Sequence, residues 1–153
     1  MLDLQKIRAD FPILSQKVNG KPLVYFDNGA TSLEPLVVID AIAKYYQEIN
    51  ANIHRGVHTL SQLATDAYEL SRGKMQHHIN AKHAHEVLFT SGTTHGVNLV
   101  ANGFASLLKS GDEVLVSALE HHSNIVPWQM LCERTGATLK VIAMNEKGEM
   151  SWS

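Results

Sequence analysis

Val87-Leu88-Phe89-Thr90-Ser91-Gly92-Thr93-Thr94-His95-Gly96-Val97 is the stretch that decides the fold. An apolar run of strand type leads into a small polar turn. The turn opens a helical pattern carried by Val97, Val100, Ala101, Phe104 and Leu108. Strand, turn and helix in that order leave unpaired backbone N–H groups and the Thr93 and Thr94 hydroxyls at a helix N-terminus, a natural anion seat. The helix dipole favours an anion there by ~0.3–1 kcal/mol. Each hydrogen bond to a charged oxygen adds ~1.5–3 kcal/mol. Ser and Thr are also ordinary helix caps, so the turn alone is weak evidence of a site. A second feature strengthens it. The apolar run Val114-Leu115-Val116 ends in Glu120-His121-His122-Ser123-Asn124, followed by a helix carrying Ile125, Trp128 and Cys132. Two successive strands thus release chemically capable residues at their C-terminal ends, the edge where open parallel sheets bind ligands.

Working outward, the order from Glu86 is strand, helix, strand, helix, strand, ending at Leu139-Lys140-Val141-Ile142, with Lys109-Ser110-Gly111-Asp112 and Thr135-Gly136 as punctuation. Such alternation predicts βαβ crossovers and a parallel sheet. Asn145-Glu146-Lys147-Gly148 predicts a turn, with only five residues beyond it. The last strand is therefore expected as an open edge, as in the first part of a longer α/β protein. A short three-stranded sheet is the alternative.

Towards the N-terminus, Asp3 predicts a helix cap, with Leu4 and Ile7 on one face of a helix that stops before Pro12. Val18-Asn19-Gly20-Lys21 predicts a hairpin turn, because Asn-Gly accepts positive φ. Leu23-Val24-Tyr25-Phe26 predicts a buried strand, and Asp27-Asn28-Gly29-Ala30-Thr31-Ser32 a loop. A long helix starts at Pro35, with Val38, Ile42, Tyr45 and Ile49 at helical spacing. A loop over 50–60 carries His54-Arg55-Gly56-Val57-His58-Thr59, and the helix from Ser61 should turn Leu63, Ala67 and Leu70 inward.

Composition excludes several classes. The 153 residues suffice for a domain with a core. A net charge of −2 gives no reason to expect nucleic acid or an anionic membrane as partner. The single cysteine, Cys132, rules out an internal disulfide framework and fits a reducing, cytoplasmic setting. The charged N-terminus lacks the apolar core of a signal peptide, and no apolar run nears transmembrane length.

Nine histidines invite a metal, yet none is expected. His54 and His58 lie four apart but in a loop broken by Gly56, without the carboxylate-flanked pattern of a zinc helix. His77-His78 and His83/His85 fall where a helix ends, where cations are favoured. Cys132 sits on an apolar helix face and reads as a small hydrophobe. Arg55 reads equally as a surface residue or as a carboxylate clamp. Asp27 reads as the end of a strand and the start of a turn. His121-His122 is the sharpest case. An imidazole at a strand end beside an anion seat can stack on a planar ring, worth ~0.5–1.5 kcal/mol beyond area burial, and can exchange protons near neutral pH.

Four motifs carry a specific resemblance: Asp27-Asn28-Gly29-Ala30-Thr31-Ser32, His54-Arg55-Gly56-Val57-His58-Thr59-Leu60-Ser61, Ser91-Gly92-Thr93-Thr94-His95-Gly96-Val97-Asn98-Leu99-Val100, and Glu120-His121-His122-Ser123-Asn124-Ile125-Val126-Pro127-Trp128-Gln129. In this order, and over nearly the whole chain, they resemble the N-terminal part of the SufS/CsdA-type cysteine desulfurases. These are pyridoxal 5′-phosphate (PLP) enzymes of the class-V aminotransferase group, with PLP fold type I.

The resemblance implies an incomplete three-layer α/β large domain with a mostly parallel sheet. Residues 1–34 would form an N-terminal segment of helix, hairpin and substrate-side loop, and 35–153 the first part of the PLP-binding domain. It further implies that Gly92, Thr93 and Thr94 hold the PLP phosphate and that His121 stacks on the ring and assists proton transfer. Asn28, Gly29 and Ala30 would approach the substrate, with Gly29-Ala30 where the family usually has two small residues such as Ala-Ala. His54 and Arg55 would line the site near a homodimer interface. The implied reaction converts L-cysteine to L-alanine and an enzyme persulfide, whose sulfur passes to an acceptor protein for Fe–S cluster assembly. L-Selenocysteine is a possible second substrate. The family's Schiff-base lysine motif, Ser-x-His-Lys, does not occur in these residues, nor does the motif carrying the aspartate that pairs with the pyridine nitrogen, and Cys132 does not match the persulfide cysteine. The expectation is thus an N-terminal fragment, inactive alone. The alternatives are another class-V enzyme (selenocysteine lyase, aminotransferase or epimerase) or a noncatalytic binding or dimerisation module built on the same fold.

Overall fold

A computed structural model describes residues 2–150. The chain divides into two compact units, residues 1–87 and 88–153, described in turn.

In the first unit, helix α1 (Leu4–Ala9) starts where Asp3 accepts a hydrogen bond from the Lys6 N–H at 3.1 Å. After a 3-10 turn at Pro12–Ser15, strands β1 (Lys17–Val18) and β2 (Lys21–Pro22) pair antiparallel. Asn19 (φ 53°) and Gly20 (φ 76°) take the left-handed conformations that a two-residue hairpin requires. The buried strand predicted over Leu23–Phe26 does not form. Val24 is 70% and Phe26 94% exposed, and the backbone has no ladder partner beyond one bond from the Leu23 N–H to Gln16 O. An apolar run becomes a strand only where a neighbour satisfies its N–H and C=O groups.

Helix α2 (Leu36–Glu48) follows Pro35, as the sequence predicts. Helix α3 (Thr59–His78) begins two residues before the predicted Ser61 and is capped by the His58 side chain, which accepts from the Ser61 N–H. Its inward face also differs. Leu63 and Leu70 are exposed, whereas Ser61 and Ala64 are buried. The turn before α3 closes on Ser61, where Gly56 comes so near that only a small side chain fits. His77 and His78 end the helix, and the rings of His83 and His85 stack with centroids 5.1 Å apart.

In the second unit, Leu88 and Phe89 run exposed into helix α4 (Thr93–Gly103), and the strand predicted over Val87–Phe89 is absent. The sheet of this unit consists of β3 (Glu113–Ser117) and β4 (Thr138–Ile142), parallel, with Glu113 opposite Thr138 and Ser117 opposite Ile142. Two strands pair where three were expected. Helix α5 (Val126–Thr135) connects them and ends in a left-handed Gly136 (φ 76°). Helices α4 and α5 pack together, α5 packs on β4, and Ala101, Val116, Leu131 and Cys132 form the buried centre. Leu115 is 61% exposed, and Glu113, Thr138 and Lys140 on the same face are exposed with it, so that face of the sheet is open, whereas Val116 on the other face is buried. The turn predicted at Asn145–Gly148 is present, closed by the Gly148 N–H to Asn145 O at 3.0 Å. The predicted residues after Met150 lie outside the described ones. No helix among the described residues is long and apolar enough to cross a membrane.

Candidate cofactor and substrate site

Gly92 sets the start of α4. Its φ of 136° is open to glycine and costly for other residues. No side chain caps this helix, and the first helical bond runs from the Gly96 N–H to Gly92 O at 3.0 Å. Thr93 and Thr94 are exposed. A Cβ on Gly92 would meet nothing within 4 Å, so the space over the turn is open. An uncapped N-terminus beside two exposed hydroxyls has the chemistry that would suit the phosphate of PLP, because the dipole and the free N–H groups both favour an anion there. The turn itself is braced. The Thr90 hydroxyl donates to Gly92 O at 3.1 Å. His95 Nδ1 lies 3.3 Å from the Ser91 amide nitrogen and 3.1 Å from Ser91 Oγ. His95 braces the turn without belonging to the predicted site, and its place one turn after Ser91 is the signal for it in the sequence.

His121 precedes a 3-10 turn over His122–Asn124. Its Nδ1 accepts the Ser123 N–H at 3.2 Å and lies 3.0 Å from Ser123 Oγ. The neutral ring then carries its proton on Nε2, which leaves that nitrogen as donor. The His121 and His122 rings stand 80° apart with centroids at 5.7 Å, so they do not stack on each other. Helix α4 packs against this 3-10 turn. The two features singled out in the second half of the sequence therefore belong to one packed unit.

A chain of hydrogen bonds that sequence reasoning missed holds the histidine turn. Ser117 Oγ donates to Glu120 Oε1 at 3.2 Å, and Asn124 Nδ2 donates to Glu120 Oε2 at 2.8 Å. Trp128 Nε1 then donates to Asn124 Oδ1 at 2.9 Å. It runs from the end of β3 across the turn into α5. The spacing of 120, 124 and 128 was its visible signal. Trp128 also meets Phe104 edge to face at 6.3 Å.

The remaining candidates lie in the first unit. Asn28, Gly29 and Ala30 sit in a turn closed by the Ala30 and Thr31 N–H groups to Asp27 O. The Tyr25 hydroxyl secures it, 3.1 Å from Asp27 O and 2.7 Å from Thr31 O. Asn28 lines a groove of about 370 Å³ with Arg8 and Tyr25. His54 is left-handed (φ 66°), and Arg55 is exposed. Among the described residues no group of three or more His, Cys, Asp or Glu side chains could hold a metal ion. Burial raises the Cys132 thiol above its ordinary value of 9.0 and keeps it protonated at neutral pH.

The comparisons with known proteins agree with this arrangement at the level of class. The class-V aminotransferase family model matches residues 24–153, and the chain belongs to that family. Within it the chain is 50% identical over 149 residues to a cysteine desulfurase of Synechococcus elongatus, covering 97% of this chain and 24% of that protein. It is likewise 50% identical over 150 residues to a probable cysteine desulfurase of Staphylococcus aureus, covering 97% and 36%. The chain thus spans a quarter to about a third of these relatives' length. Among solved structures, the apo cysteine desulfurase of Thermococcus onnurineus superposes with a TM-score of 0.88 at 40% identity, over 99% of this chain and 36% of that one. Escherichia coli cysteine desulfurase CsdA gives 0.75 at 34%, over 95% and 36%. The mixed helices and parallel strands are part of an α/β fold shared with these enzymes.

Proposed function

We propose that these residues supply the phosphate-holding and ring-holding half of a PLP site in a cysteine desulfurase acting on L-cysteine. The uncapped N-terminus of α4, opened by Gly92 and flanked by exposed Thr93 and Thr94, carries this reading. The similarity to cysteine desulfurases along nearly the whole chain supports the substrate class. When bound, PLP supplies the electron sink that lets bonds at the amino acid break. The chain's own part is positional. The α4 N–H groups and the two hydroxyls hold the phosphate. The His121 ring, fixed through Nδ1, lies along the cofactor and presents Nε2 for proton exchange. Asn28, Gly29, Ala30, His54 and Arg55 form the substrate side. In this reading residues 35–153 are the first part of the cofactor-binding large domain. A homodimer, a sulfur-acceptor protein and a cytoplasmic setting belong to the same reading.

Pyridoxamine 5′-phosphate and pyridoxamine test it, since neither reacts with surface lysines. Titration followed by tryptophan fluorescence should show the phosphorylated form binding at least about ten-fold more tightly, one charge-assisted hydrogen bond being worth ~1.5–3 kcal/mol. Thr93→Val combined with Thr94→Val should remove most of that preference. Equal binding of the two compounds by the unsubstituted chain would overturn the assignment.

A further inference from the structure

The loop before α3 is fastened to that helix at more points than a surface loop requires. Ser61, only 1% exposed, donates from Oγ to Asn52 O at 2.6 Å. Gly56 lies so close to Ser61 that a Cβ on it would collide with the serine side chain. The His54 N–H donates to Thr65 Oγ1 at 3.0 Å, and that hydroxyl donates to Ser61 O at 2.7 Å. His54 Nε2 lies 3.4 Å from Glu69 Oε1, and its ring meets Tyr68 edge to face at 5.6 Å. Glu69 is itself held, its Oε2 accepting from Arg72 Nε at 3.1 Å. Arg72 in turn lies over the Tyr68 ring and donates to Val87 O.

These contacts surround a non-glycine residue at φ 66°. A left-handed conformation costs ~1–2 kcal/mol for an ordinary residue and persists only where its surroundings over-determine it, most often at functional positions. The residue that this turn carries outward is Arg55, which is exposed and makes no hydrogen bond or ion pair among the described residues. Every anchor stops at His54 or resumes at Gly56, leaving the guanidinium unengaged on a fixed backbone. A preformed turn spends less ordering entropy when an arginine meets its anion.

We propose that Glu69 is a positioning residue: acting through His54, it holds the left-handed turn that presents Arg55. The proposal rests on the reading above that Arg55 belongs to the substrate side. Backbone ¹⁵N relaxation on the isotope-labelled chain tests it without cofactor or substrate, so a failed assignment of Arg55 leaves the result intact. Glu69→Met keeps length and helix propensity but removes both acceptors. The order parameter of the Arg55 amide should fall from the rigid range of about 0.85 towards 0.6, and exchange of the His54 amide should accelerate about three- to ten-fold. His54→Asn, which tolerates the left-handed backbone but lacks the ring, should give the same fall. Glu69→Gln, retaining one acceptor, should restore most of the order. The double variant H54N/E69M should lose no more than either single one. Unchanged Arg55 order in E69M or H54N would overturn the proposal. So would additive losses in the double variant, because Glu69 would then act by a route other than His54.

Discussion

His121 owes its orientation to Ser123. Two contacts to Nδ1 fix the ring and its tautomer, whereas the His122 ring has only its edge-on neighbour among the described residues. One ring of the pair can lie along a cofactor, and the braced one is the better platform. His121→Ala should weaken pyridoxamine 5′-phosphate binding about two- to twelve-fold, corresponding to a stacking contribution of ~0.5–1.5 kcal/mol. His122→Ala should leave it nearly unchanged, and equal losses would show the roles reversed. Cys132 makes an opposite case. Buried among apolar neighbours, it is held as the thiol, so it should resist Ellman's reagent at pH 8 in the native chain and react at once in urea. A raised folded-state value means full stability below the ordinary value of 9.0, and stability declines as pH climbs beyond it. A native thiol that reacts as fast as in urea would contradict this burial.

At the scale of the element, the loop–helix junction over 52–61 is closely packed. Gly56 lacks room for a side chain because Ser61 occupies it, and Ser61 cannot move without losing Asn52. Gly56→Ala should therefore destabilise the chain by ~1–3 kcal/mol, the usual cost of overpacking a close contact. Thermal unfolding monitored by circular dichroism checks it, and an unchanged midpoint would mean that the loop can back away from α3. Helix α4 behaves differently. Its glycine is required by φ alone, with open space above, so the same substitution at Gly92 acts on the backbone rather than on packing. The contrast separates a glycine that permits close approach from one that opens a turn.

At the scale of the whole molecule, the described residues leave apolar surface uncovered. Leu115 and Val141 on the sheet, with Val37, Ile42 and Tyr46 on α2, are all exposed. A two-stranded sheet with α5 packed on it is left with an uncovered face. The same 153 residues contain no Ser-x-His-Lys sequence to bind the cofactor covalently and only Cys132 as thiol, which is buried. Purified chain should accordingly release no more sulfide from cysteine than free PLP does. Sulfide production above that background by the chain alone would require a nucleophile that these residues do not display.

Much of this was legible in the residues because it is decided within a few positions along the chain. Asp3 caps α1, Asn19-Gly20 closes the hairpin, Pro35 opens α2 and Gly136 ends α5; each rests on local conformational preference or a side chain reaching three residues away. The turn that Gly92 opens before α4, with Thr93 and Thr94 exposed after it, was visible for the same reason. What the sequence could not contain was partnership. Leu23–Phe26 and Val87–Phe89 have the composition of strands, yet a strand exists only when a distant segment supplies its hydrogen bonds. Likewise Ser61 and Ala64, not Leu63 and Leu70, are buried, Ser61 because the loop over 52–58 closes on it. The left-handed His54 is a tertiary product too, since its contacts with Thr65, Tyr68 and Glu69 need α3 folded against the loop; the chain from Ser117 through Glu120 and Asn124 to Trp128, in steps of three and four residues, was local and legible in its spacing.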